Sequence, residues 1–144
     1  EKTPVTFEDI DLFYSDSTTP TIFEMIECLV NHDLERVTIL TKRLIDFGTK
    51  PNQILNMTKS HFQLLYKLSV NKNNVDFVFK NNFPPIFGPR RQQTIKQSRT
   101  LPTTLLEQAL QILQITETNM RSSTRLNLTS ILERCFLKIG TLRK

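Results

Sequence analysis

Apolar side chains recur along this chain at steps of three and four, and strand-like alternation is almost absent. Thr19-Pro20 reads as an N-cap with proline in the first helical position, and Ile22, Phe23, Ile26 and Leu29 form the stripe of a short helix behind it. Asp33 can cap a second helix, with Val37, Leu40, Leu44 and Phe47 as its apolar stripe and Gly48 as a left-handed end. Pro51 opens a third, in which Ile54, Leu55, Phe62, Leu65, Tyr66 and Leu68 are placed for burial. An Asn-Lys-Asn-Asn run at 71–74 breaks the pattern, and Val75 to Phe79 reads as a single turn capped by Asn74. Pro84-Pro85 forbids helix, since proline lacks an N–H and restricts the residue before it. Pro89 reopens one over about 89 to 99.

Pro102-Thr103-Thr104 caps the next helix, which carries Leu105, Leu106, Ala109, Leu110, Leu113 and Met120. Asn127 caps the last, with Leu128, Ile131, Leu132, Cys135, Phe136 and Ile139 in faultless steps and Gly140 as terminator. The expectation is an all-α fold, a single bundle of about six helices over residues 20–144. Residues 1–19 lie outside that pattern and read as the tail of an upstream domain plus a polar linker, Asp16-Ser17-Thr18-Thr19. An opening on Glu1 rather than Met leads us to expect a piece of a longer protein.

Composition narrows the function classes. Hydrophobic residues make up 38% of the 144 and never run beyond three in a row, too short to span a membrane. Charge is unevenly divided: residues 1–76 carry eight cations and eleven anions, and residues 77–144 carry eleven cations and three anions. The second half should therefore favour an acidic partner, either nucleic acid or a neighbouring subunit. Cys28 and Cys135 both fall on apolar helical faces and read as buried, reduced thiols. With two histidines at scattered spacing they make no zinc pattern, and no other cofactor is implied.

Catalytic signatures are missing from the sequence. It holds no phosphate-binding glycine loop, nucleophile elbow or H-E-x-x-H helix. Asp9 and Asp11 read as solvated rather than as an acid/base pair, His32 as an exposed cap and His61 as a residue bordering the core. No residue of the chain is assigned a catalytic role.

Two features suggest binding instead. The stretch NNFPPIFGPRRQQTIKQSR joins aromatics and prolines to four cations without one acid. Arg90, Arg91, Lys96 and Arg99 on its helix suit either DNA phosphates or, more favoured, solvent or an acidic subunit, while Phe83, Ile86 and Phe87 anchor the bent linker on the bundle. On the closing helix Ser130, Arg134 and Lys138 step by four along the face opposite the apolar stripe, and Gln111, Gln114 and Thr118 form a polar row on the preceding helix. Both rows are candidate subunit interfaces.

Several stretches, in order, resemble the carboxy-terminal part of the bacterial DNA polymerase III delta subunit family. TIFEMIECLVNHDLERVTILTKRLIDFGTKPNQILNMTKSHFQLLYKL resembles its opening helices, with the polar break and Gly-x-x-Pro junction, and FPPIFGPRRQQTIKQSR resembles its loop and basic helix. LLEQALQILQITETNMRSS and LNLTSILERCFLKI resemble its last two helices, and VTFEDIDLFYS the end of its preceding lid domain. Thr116 and Thr118 depart from the pattern where an acid is expected.

The resemblance implies a collar domain of the clamp loader, which joins the ATPase and delta-prime type subunits within the bacterial cytoplasm. The sliding clamp would be met by an amino-terminal domain outside this chain, and DNA contact would be indirect. It also implies that catalysis belongs elsewhere in the DNA polymerase III holoenzyme, a DNA-directed DNA polymerase and nucleotidyltransferase. The residues alone leave two other classes open, a free-standing basic nucleic-acid-binding protein and a helical adaptor.

Overall fold

The computed structural model describes residues 10–82, 86, 88–122 and 128–142, with residues 10–19 described by their backbone alone. Seven helices follow one another, and no strand occurs among the described residues: α1 (Ile10–Val30), α2 (Leu34–Asp46), α3 (Pro51–Val70), α4 (Val75–Lys80), α5 (Gly88–Thr100), α6 (Thr103–Ser122) and α7 (Leu128–Gly140). The all-α bundle is as expected, and counting the short helix after residue 74, α4, brings the described helices to seven. The expected cap at Asn127 and the prolines at 84 and 85 lie outside the described residues.

One core unites the bundle. Ile22, Met25, Ile26 and Leu29 of α1 meet Leu40 and Leu44 of α2, Ile54 and Phe62 of α3, Leu106 and Leu113 of α6, and Leu132 and Phe136 of α7. α3 packs along α6, α1 along α2, and α7 closes against α6 and α2. A second, smaller cluster joins Leu64 and Leu68 of α3 to Val78 and Phe79 of α4, with Ile86 and Ile95 packed against it. Cys135 is buried and Cys28 half-buried, both as free thiols. Burial pushes the Cys135 thiol up to about 11, against the opposing influence of the Thr116 hydroxyl and the nearby charge of Lys138.

Four local expectations are corrected. The first helix does not start at Thr19-Pro20: α1 already runs from Ile10 and carries Pro20 inside it. Proline's φ suits a helix, and its cost is the missing N–H bond to the preceding turn, so it is a weak point rather than a start. Phe47 does not join the buried stripe of α2; it is the C-cap residue and 83% exposed. Asn74 occupies the N-cap of α4 without a side-chain capping bond.

His32 is no exposed cap. It sits at φ +63°, where the Asp33 N–H reaches Cys28 O and the His32 N–H reaches Leu29 O. That pair of bonds is a Schellman ending to α1, with histidine in the place that usually falls to glycine. Its Nδ1 donates to the Gly140 carbonyl at 2.9 Å, tying the α1–α2 turn to the end of α7. Gly140 ends α7, as expected, and a Cβ on it would lie 2.0 Å from Leu34 Cδ2. Close approach, not chain reversal, is why glycine stands there.

Candidate interaction surfaces

α5 is a helix with almost no apolar side chains, and the residues it buries are Thr94, Gln97 and Ser98. Its docking is polar and aromatic. Arg90 stacks over the Phe23 ring of α1 at 4.0 Å, and Arg91 over the Phe79 ring of α4 at 4.6 Å. Arg91 also pairs with Asp76. Beneath them His61 is buried rather than at the border of the core, with its Nε2–H donating to Gln97 Oε1 at 2.7 Å and its ring edge-on to Phe23 at 5.8 Å. Burial, assisted by Arg90, depresses the His61 pKa below its usual 6.5, against the opposing pull of the Gln97 bond.

The four cations of the basic stretch are therefore not one surface. Arg90 and Arg91 are engaged in fixing α5 to α1 and α4, while Lys96 and Arg99 stand exposed on later turns. Lys96 borders a polar groove of about 410 Å³ between the end of α1 and α5, with Glu27, Asn31, Gln92 and Gln97 among its other walls. A carboxylate in that wall and the scarcity of free cations make it a poor track for a phosphate backbone. Sequence reasoning could place the cations on one helix but not the rings beneath two of them, because Phe23 is 67 residues upstream of Arg90.

Both polar rows are where their periodicity puts them. On α7, Arg134 and Lys138 are exposed and Ser130 is half-buried. On α6, Gln111, Gln114 and Thr118 are exposed, and Gln114 accepts from Lys59 Nζ at 2.8 Å. Lys59 also pairs with Glu117 at 2.6 Å, which Arg121 joins from the next turn at 3.2 Å. The Lys59 bond, more than any other neighbour, lowers the Glu117 pKa. Each row carries something the periodicity did not single out: Leu137 stands 56% exposed on the Arg134–Lys138 face and Ile115 59% exposed beside Gln111 and Thr118. Large apolar residues ringed by polar ones are how many protein–protein contacts are built.

No cluster of three or more metal-ligating side chains occurs among the described residues, and no described helix is long and apolar enough to cross a membrane. The sequence matches no protein-family model and no curated protein. Among solved structures the chain is similar to the DNA clamp loader delta protein of Bacillus subtilis (YqeN), with a TM-score of 0.75 at 16% identity. The match covers 99% of this chain and 42% of that one, so the chain spans less than half the length of the structure it matches. At that identity the likeness is one of fold, and at that level the resemblance to the clamp-loader delta family holds.

Proposed function

We propose that this chain is the assembly module of a clamp-loader delta-type subunit, the collar part of a bacterial DNA polymerase III delta subunit, and that it acts by docking neighbours. The observation that carries this reading is the fold likeness to a clamp loader delta protein over 99% of the chain. Two exposed helix faces, each a polar row with one large apolar residue, supply surfaces for such docking. In this reading the partners are the ATPase and delta-prime type subunits of the same loader, in the bacterial cytoplasm. Residues 1–19 are the tail of an upstream lid domain that runs into the bundle through the continuous helix α1, and the sliding clamp is reached through parts of the subunit beyond this chain. DNA is served indirectly, through the loader, and polymerisation belongs to other subunits of the holoenzyme.

The α7 row gives the test. Arg134→Glu with Lys138→Glu changes two exposed side chains that form no ion pair among the described residues, so the melting temperature should barely move, by the equivalent of under about 0.5 kcal/mol per site. The same double change should weaken association with the purified ATPase and delta-prime type subunits, because reversed charge at an interface opposes docking. Light-scattering titrations read the affinity. Unaltered affinity would remove this face from the contact, and a collapsed melting temperature would show that the face is not free.

A further inference from the structure

α1 and α5 meet where Arg90 covers the Phe23 ring and scarcely touch elsewhere. Beyond that contact they bound the polar groove of about 410 Å³ that Lys96 borders. Glu27 and Asn31 continue the Phe23 line to the end of α1 at steps of four, and Gln92, Lys96 and Thr100 step likewise along α5. Asn31, Gln92 and Gln93 are exposed, and their carboxamides have no hydrogen-bond partner among the described residues. Glu27 and Lys96 face the same space from opposite helices and form no ion pair among the described residues.

Gln97 differs from the other carboxamides of the groove. Its side chain is only 9% exposed, and its Oε1 is held by His61 Nε2–H at 2.7 Å. No atom of Gln97 is both sealed and unpaired among the described residues, so its N–H donors open on the groove that the residue lines. A buried histidine thus fixes one donor from below before any ligand arrives. Such a group loses little conformational entropy on binding.

We propose that this groove takes an extended segment of a neighbouring clamp-loader subunit, with a carboxylate set toward Lys96, a cation toward Glu27, and peptide groups paired to the carboxamides between them. The proposal rests on the assembly reading above, but on a surface apart from the rows on α6 and α7. Its warrant is the match of hydrogen-bonding groups. A carboxamide offers one carbonyl acceptor beside N–H donors, which is the pairing that a peptide group itself requires. Gln97 donates first, to a peptide carbonyl at the groove floor, because its own oxygen is already committed to His61. The opposed charges of Glu27 and Lys96 then fix which side of the segment faces which helix.

Size and charge disfavour other occupants. A helix with its side chains fills roughly 900 Å³ over the ~12 Å from Gln92 to Thr100, more than the groove holds. An extended chain crosses the same distance in about three or four residues. A phosphate backbone would set its charges against Glu27. A small apolar molecule would find Val30 as the one aliphatic member of the walls, where pockets for such ligands are lined mainly by apolar side chains.

The test titrates the wild-type chain and three variants with the purified ATPase and delta-prime type subunits: Lys96→Glu, the double change Gln92→Ala/Gln93→Ala, and the exchange Glu27→Lys/Lys96→Glu. These side chains are exposed or half-buried, so each variant should melt close to the wild type. Binding should weaken about tenfold for Lys96→Glu and several-fold for the double alanine variant. The exchange leaves the net charge unaltered, so a loss there of the same size as for Lys96→Glu shows that each sign is read at its own wall. Short synthetic peptides tiled across both subunits give the second readout: one of them should bind the wild type and compete with the intact subunit. If all three variants bind as the wild type does, the groove proposal is overturned and the assembly reading stands. If the wild type binds neither subunit, both fall. Weakened binding with no competing peptide would make the occupant a folded surface and overturn the proposal, as would salt-dependent DNA binding lost in Lys96→Glu.

Discussion

Gly140, His32 and His61 are single positions at which distant segments of the bundle meet. With Leu34 Cδ2 2.0 Å from where a Cβ would be, Gly140→Ala forces the Leu34 side chain out of its place and should cost about 1 kcal/mol, the low end of the usual range for overpacking. Adding Leu34→Ala should return part of that loss, and chemical denaturation of the two variants checks it. His61 carries the pH dependence. It is buried and neutral in the fold, and its depressed pKa means that the unfolded chain binds a proton first as the pH falls. The stability it contributes is therefore full above about pH 6.5 and is lost progressively below it. Thermal melts from pH 7.5 to 5.5 should show a falling midpoint in the wild type and a flatter profile in His61→Gln. A parallel decline in both would assign the loss to other groups.

At the scale of elements, the sequence disclosed what periodicity and caps encode. α3, α6 and α7 are legible because Ile54, Phe62, Leu106, Leu113, Leu132 and Phe136 fall where a 3.6-residue repeat buries them. The Gly48 ending of α2 is legible because glycine is the usual residue at φ +95°. Its twin at the end of α1 was not, because His32 adopts the same conformation and is held there by a contact 108 residues away. α5 was readable as a helix but not as a docked one, since its anchors are the rings of Phe23 and Phe79. In α2 the Thr49 N–H bonds Leu44 O and the Gly48 N–H bonds Ile45 O, both at 3.0 Å, closing the Schellman loop. No atom lies within 4 Å of a Cβ built at Gly48, so Gly48→Ala isolates the backbone cost, about 1–2 kcal/mol. Gly48→Asn should cost less, because asparagine tolerates the left-handed region better. Urea midpoints of the two variants decide it; equal losses would place the cost in something other than conformation.

At the scale of the molecule, the fold was legible and the surfaces only in outline. The rows on α6 and α7 follow from residue spacing, whereas the exposure of Leu137 and Ile115 depends on which faces meet, a property of packing between distant segments. What joins the scales is a division of labour among the cations. Arg90 and Arg91 hold α5 in place, and Arg134 and Lys138 remain available to a neighbour. The central claim is that the bundle assembles with other clamp-loader subunits. Sedimentation equilibrium tests it most directly, with the chain alone, with duplex DNA, and with the purified ATPase and delta-prime type subunits together. We expect a monomer alone and with DNA at moderate salt, and a complex containing the chain once both subunits are present. A chain that sediments independently of those subunits, or that shifts only with DNA, would contradict the account.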